Sequence, residues 1–177
     1  MHRSYLFAPG HNEKLLSRVF DAGADAVMLD LEDAVPPHAK RRARAMVVDA
    51  LADRPAWVRI NAVGTDLAAA DLDAVRDLAA GIRIPKVESA DDVRWVRDRA
   101  PGIPLICAIE SARGLLAALE IASVPGVRHL SLGGVDLPVA QRARRLLELA
   151  HARESAPDHP APTRPAGAAA IASATNA

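Results

Sequence analysis

The chain has 177 residues, half of them hydrophobic, and its 22 lysines and arginines balance 22 aspartates and glutamates. That size and apolar fraction suit one domain with a real core, and the zero net charge argues against the basic surplus of a nucleic-acid-binding protein. A single cysteine, Cys107, excludes an intramolecular disulfide and fits a reducing compartment. The amino-terminal stretch lacks the apolar core of a signal peptide and no run approaches ~18 apolar residues, so a cytoplasmic protein without a membrane partner is expected.

Short apolar runs alternate with amphipathic stretches along the chain. The first run, SYLFAP (4–9), precedes a helix that Asn12 can cap, with Leu15, Leu16, Val19 and Phe20 at three- and four-residue spacing. After AVMLDL (26–31), Pro36 and Pro37 suit the opening turn of a helix carrying Ala43, Met46, Val47 and Ala50 on one side. AWVRIN (56–61) precedes a helix marked by Leu67, Leu72, Val75 and Leu78. GIRIPK (81–86) precedes one opening on Ser89 and Asp92, a capping box with a shorter acid than usual, ahead of Val93 and Val96. PLICAIE (104–110) leads to a fifth helix with Leu115, Leu116, Leu119 and Ile121, and VRHLSLGG (127–134) to a sixth with Leu146, Leu147 and Leu149.

Nearly continuous apolar character suits strands covered on both faces in a parallel sheet. Six strand–helix alternations predict a parallel α/β fold, either a doubly wound sheet or part of a (β/α)₈ barrel. Beyond Glu154 the sequence turns rich in Ala and Pro and loses its period. A domain over 1–154 and a disordered tail over 155–177 are expected.

In such folds chemistry sits at the carboxyl ends of the strands. The polar groups there are Asp30, Glu32 and Asp33, then Arg59 and Asn61, Lys86 and Glu88, Glu110 and Ser111, and Asp136 just past Gly133 and Gly134. Taken singly, each is more often a helix cap or loop charge. Glu110 and Asp136, however, follow strongly apolar strands where an unpaired charge is costly, which favours metal binding. Arg59 lies within a strand and needs an anionic partner, which favours substrate binding. Lys86 serves the site or pairs with a local carboxylate, the two readings being evenly weighted. Carboxylates from adjacent strands beside an arginine and a lysine suit a hard divalent cation and an anionic substrate. The six histidines show no metal-ligand spacing, Cys107 reads as a buried small hydrophobe, and no glycine-rich nucleotide loop is present.

Six ordered segments carry a family resemblance: RSYLFAPG (3–10), GADAVMLDLEDAV (23–35), WVRINAVGT (57–65), IPKVES (84–89), IESARG (109–114) and GGVDL (133–137). Together they resemble the citrate lyase β-subunit-like proteins of the HpcH/HpaI aldolase group. The resemblance implies a barrel of the pyruvate kinase kind, here an incomplete (β/α)₈ barrel of about six units. It implies a Mg²⁺-dependent carbon–carbon lyase acting on 3-hydroxyacyl-CoA thioesters such as citryl-CoA and malyl-CoA. Glu110 and Asp136 then correspond to the metal carboxylates, with Glu110 also beside the substrate. Arg59 corresponds to the group gripping the substrate carboxylate, and Glu32, Asp33 and Lys86 stand behind the metal. The expected partners are a small oxo acid and a CoA thioester, with homo-oligomerisation following the family. In relatives an aspartate from a neighbouring subunit's C-terminal region is thought to act as base; no counterpart is evident here, so the catalytic base is unassigned.

After Arg153 the chain departs from the family pattern, which completes eight strands. A C-terminal truncation is the expectation, with a frameshift as one hypothesis for its origin. It predicts open edges at the first and sixth strands, a chain prone to aggregation or dependent on a partner, and little activity. Two alternatives stand beside the lyase: an aldolase for 4-hydroxy-2-oxo acids, and a non-catalytic remnant or partner of a full-length paralogue.

Overall fold

The computed structural model describes residues 2–132. Six strands run parallel: β1 (Tyr5–Pro9), β2 (Ala26–Asp30), β3 (Trp57–Arg59), β4 (Gly81–Ile84), β5 (Leu105–Ile109) and β6 (Val127–Leu132). Between them lie α1 (Glu13–Val19), α2 (Lys40–Asp53), α3 (Asp66–Val75), α4 (Ala90–Arg99), α5 (Ala112–Leu116) and α6 (Ala118–Ala122). Each strand pairs only with its neighbours in sequence, giving the order β1-β2-β3-β4-β5-β6. A doubly wound sheet reverses its order at a switch point. No reversal occurs among the described residues, so the singly wound course of a (β/α)₈ barrel forms, as an open six-stranded wall.

Strand side chains alternate between faces, and the two faces here have different jobs. Leu29, Val58, Ile82, Ile84, Leu105 and Cys107 turn outward and pack with Val47, Leu72, Val93 and Ile121 of the helices in one buried cluster. Each such Leu or Ile contributes about 1.5–3 kcal/mol through burial. The inner face holds a small cluster of Met28, Trp57 and Ile106, with Tyr5 and Ala26 against it. Gly81 belongs there because a Cβ would lie 2.3 Å from the Trp57 ring. The inner face also carries the charged residues.

Helix ends follow the sequence closely. Asn12 Oδ1 accepts from Leu15 N at 3.1 Å. Ser89 and Asp92 close a reciprocal capping box, Ser89 N donating to Asp92 Oδ2 at 2.9 Å and Asp92 N to Ser89 Oγ at 3.3 Å. Pro37 opens a single 3₁₀ turn (Pro37–Ala39) before α2 begins.

The fifth helix differs from expectation. It breaks at Ala117 into α5 and α6, and Leu116 and Leu119 are 88% and 82% exposed while Ile121 is buried. The kink turns the two leucines off the stripe that a continuous helix would bury. Leu15 and Leu67 also lie exposed on their helices, and Leu78, expected on the third helix, is exposed in the turn after α3 ends at Val75. The sixth helix, the domain limit at residue 154, the tail and Asp136 fall outside the described residues.

Candidate active site

The strand ends bring together four carboxylates and a set of cations. Asp30, the last residue of β2, is 1% exposed, and its neighbour Glu32 is also buried. Asp30 folds the following turn by accepting from Glu32 N at 2.8 Å and Ala34 N at 3.3 Å. It also receives the Arg59 fork, Nε at 2.8 Å and Nη2 at 2.5 Å. The register explains the meeting, since Asp30 pairs with Arg59 across β2 and β3.

Arg59 Nη1 lies 3.2 Å from Glu32 Oε2. The other oxygen, Glu32 Oε1, accepts from Lys86 Nζ at 2.6 Å, and the same ammonium donates to Asp33 Oδ1 at 3.0 Å. Charge therefore alternates from Asp30 through Arg59, Glu32 and Lys86 to Asp33. Lys86 holds its proton more tightly than an ordinary lysine, chiefly through the bond to Glu32. Its backbone stands at φ 52, the one left-handed non-glycine among the described residues. Such a conformation persists where its surroundings over-determine it, and functional sites are where it clusters.

A second network anchors this turn from behind. Lys40 Nζ donates to Leu31 O (2.7 Å), Glu32 O (2.6 Å) and Asn61 Oδ1 (2.7 Å). Asn61 donates through Nδ2 to Leu31 O (2.9 Å) and Asp71 Oδ2 (2.6 Å), and through its backbone N to Asp71 Oδ2 (2.9 Å). Asp71 Oδ1 accepts from Arg44 Nε at 2.8 Å. Apart from Arg44 Nη2, which has no hydrogen-bond partner among the described residues, these buried groups are satisfied, and such a network holds one geometry. Lys40, Asp71 and Arg44 were not singled out in the sequence, because their partners lie in other elements, the turns after β2 and β3 and the helices α2 and α3, whose relative placement no local pattern announces.

Glu110, directly after β5, behaves differently. Among the described residues it makes no hydrogen bond and no ion pair, while Asp30, Glu32 and Asp33 are all engaged. Burial, followed by the negative charge of Glu32, pushes its carboxyl above the usual glutamate range. A half-buried carboxylate held beside other carboxylates is a seat for a cation. No group of three or more metal-ligating side chains exists among the described residues, so Glu110 needs a ligand from elsewhere in the chain or from water and substrate.

The inner face adds one cation that the sequence reading passed over. Arg83 pairs in register with Arg59 across β3 and β4. Both guanidiniums lie over the Phe7 ring, Arg59 at 5.3 Å and Arg83 at 5.7 Å. The signal was present, since Arg83 in GIRIP occupies the same alternation as Arg59 in WVRIN. Away from the strand ends, a groove of about 580 Å³ runs between α1 and α2, lined by Leu16, Phe20, Met46 and Arg54 among others.

The family model described as HpcH/HpaI aldolase/citrate lyase matches residues 3–174. A (3S)-malyl-CoA thioesterase of Cereibacter sphaeroides is 38% identical over 141 residues, covering 76% of this chain and 50% of that protein. The citrate lyase subunit beta of Escherichia coli is 40% identical over 137 residues, 68% of this chain and 45% of that one. The protein CitE of Mycobacterium tuberculosis, solved with magnesium, acetoacetate and coenzyme A, superimposes with a TM-score of 0.67 at 31% identity. That match covers 84% of this chain and 61% of CitE. The chain thus spans about half the length of the curated relatives it matches.

Proposed function

The chain belongs to the HpcH/HpaI aldolase/citrate lyase family, and we propose that it acts as a Mg²⁺-dependent carbon–carbon lyase on a 3-hydroxyacyl-CoA thioester of the citryl-CoA or malyl-CoA type. The observation that carries this reading is Glu110: a half-buried carboxylate at a strand end, its pKa raised by burial and by Glu32 against the charges of Lys86, Arg83 and Arg59, with no ion pair or hydrogen bond among the described residues. The M. tuberculosis relative's complex with magnesium supports the choice of ion. In this proposal Glu110 and Asp136 hold Mg²⁺. The metal, when bound, supplies Lewis-acid polarisation of the oxygen that is a hydroxyl in the thioester and a keto group in the product.

The chain's own residues do the rest. Asp30 locks Nε and Nη2 of Arg59 and so fixes the plane of the guanidinium, leaving Nη1, which lies 3.2 Å from Glu32 Oε2, as the edge that a substrate carboxylate shares with Glu32. Lys86 draws Glu32 and Asp33 together and neutralises part of their charge, which keeps them from repelling that carboxylate. Asp30, Glu32, Asp33 and Glu110 balance Arg59, Arg83, Lys86 and Lys40 in charge, so a bound dication leaves the site attractive to anions.

The likeness to the malyl-CoA thioesterase favours a second reading on the same site, hydrolysis of the thioester. One experiment separates the two. Citryl-CoA and (3S)-malyl-CoA are incubated with the protein and Mg²⁺, with and without EDTA, and products are resolved by mass spectrometry. Oxo acid plus acetyl-CoA supports the lyase; free hydroxy acid plus CoA supports the hydrolase. No Mg²⁺-dependent turnover of either thioester sinks both and supports the non-catalytic remnant instead.

A further inference from the structure

Arg83 is the inner-face cation that stands outside the ion-pair chain from Asp30 to Asp33. It is half-buried on β4, and among the described residues no carboxylate forms an ion pair with it. Its Nε is buried with no hydrogen-bond partner. Burial, followed by the charge of Arg59, weakens its hold on its proton. A guanidinium in such a place is expensive unless an anion meets it.

The surroundings are built for one. Arg83 lines a cavity of about 250 Å³ together with Tyr5, Phe7, His129 and Ser131. Tyr5 Oη and Ser131 Oγ, from the first and last strands of the sheet, are likewise buried without a hydrogen-bond partner among the described residues. Three unmatched polar groups on residues that line one small space are donors that an entering anion can recruit. Phe7 and the strand register tie this space to the Arg59 side. Its volume suits a carboxylate or another small anion and excludes a nucleotide.

We propose that Arg83, with Tyr5 and Ser131, forms a second carboxylate subsite beside Arg59, and that this subsite selects dicarboxylic over monocarboxylic acids. The inference rests on the reading that Arg59 and Mg²⁺ take the first carboxylate, and adds to it a residue that discriminates between acids.

The test is calorimetry on the full 177-residue chain in Mg²⁺ with L-malate and L-lactate, which share a 2-hydroxy acid head and differ by one carboxylate. The parent should bind malate about 10- to 100-fold more tightly than lactate, the value of one charge-assisted contact. Arg83→Met should erase that preference while leaving lactate within about twofold, and Tyr5→Phe should reduce it. Arg83→Lys, which keeps the charge and loses the fork, should retain part of the preference. Removing an unpaired buried cation should also raise the melting temperature of the metal-free protein, whereas a structural role for Arg83 would lower it. A preference for malate that survives Arg83→Met overturns this proposal and leaves the Mg²⁺–acid reading standing. So does equal binding of both acids by the parent. Failure of the parent to bind either acid removes both.

Discussion

Replacing Asp71 by Ala tests whether the network behind the β2 turn is what holds the site in shape. Asp71 is 1% exposed, and it receives Arg44 Nε at 2.8 Å, Asn61 Nδ2 at 2.6 Å and Asn61 N at 2.9 Å. The substitution strands a buried amide and a backbone N–H, each costing about 1–3 kcal/mol. It also leaves Arg44 without its carboxylate; that side chain is 17% exposed and can reach water, so its share is discounted. The sum is about 3–5 kcal/mol, the range for breaking a buried pair. Against a marginal stability of about 5–15 kcal/mol, such a loss is easily seen by urea unfolding followed by circular dichroism. Asp71→Asn keeps one acceptor and should lose about half as much. Because Asn61 also holds Lys40 and Leu31 O, the variant should loosen the turn bearing Glu32 and Asp33 and weaken Mg²⁺ binding. A loss under ~1 kcal/mol, or unchanged Mg²⁺ affinity in a destabilised variant, would show that the network is incidental to the site.

Three further outcomes follow. Arg59→Lys keeps the charge but cannot span both Asp30 oxygens, so binding of oxaloacetate, pyruvate or glyoxylate should fall by about tenfold or more; unchanged binding would make Arg59 structural. Cys107 is buried, and burial pushes its thiol up to about 12, so a thiol reagent at neutral pH should label it only as fast as the protein opens; rapid labelling of the folded chain contradicts its place in the core. Burial and Glu32 raise the Glu110 pKa, so the folded state binds that proton more tightly than the unfolded chain. The resulting stability is fully present below the ordinary glutamate value of about 4.3 and is lost as pH rises through the raised folded value. Thermal melts of the metal-free protein should show this loss in the parent and not in Glu110→Gln; parallel pH profiles would refute it.

The fold was legible where local chemistry is decisive. Asn12 and the Ser89–Asp92 box announce helix starts because each satisfies backbone donors within its own turn. Continuous apolar runs gave all six strands, but they could not separate a doubly wound sheet from a barrel wall. That choice depends on which strand neighbours which, a property of the crossovers. Leu116 and Leu119 misled because periodicity assumes an unbroken helix, and the break at Ala117 rotates them outward.

The site was legible to a similar degree. Strand-end position identified Arg59, Lys86, Glu32, Asp33 and Glu110, and the structure draws them close, with Glu110 left unpaired among the described residues. The internal pairing of Arg59 with Asp30 was not legible, although Asp30 was among the strand-end groups noted. It arises from register across β2 and β3. Lys40, Asp71 and Arg44 were hidden for the same kind of reason, their partners lying 8 to 27 residues away in sequence.

Isothermal titration of Mg²⁺ into the metal-free protein tests most directly the proposal that Glu110 waits for a divalent cation. The parent should bind one Mg²⁺ per chain, more tightly as pH rises and Glu110 loses its proton. Glu110→Gln should melt normally yet lose most of that affinity. Equal Mg²⁺ binding by the folded variant and the parent would contradict the claim.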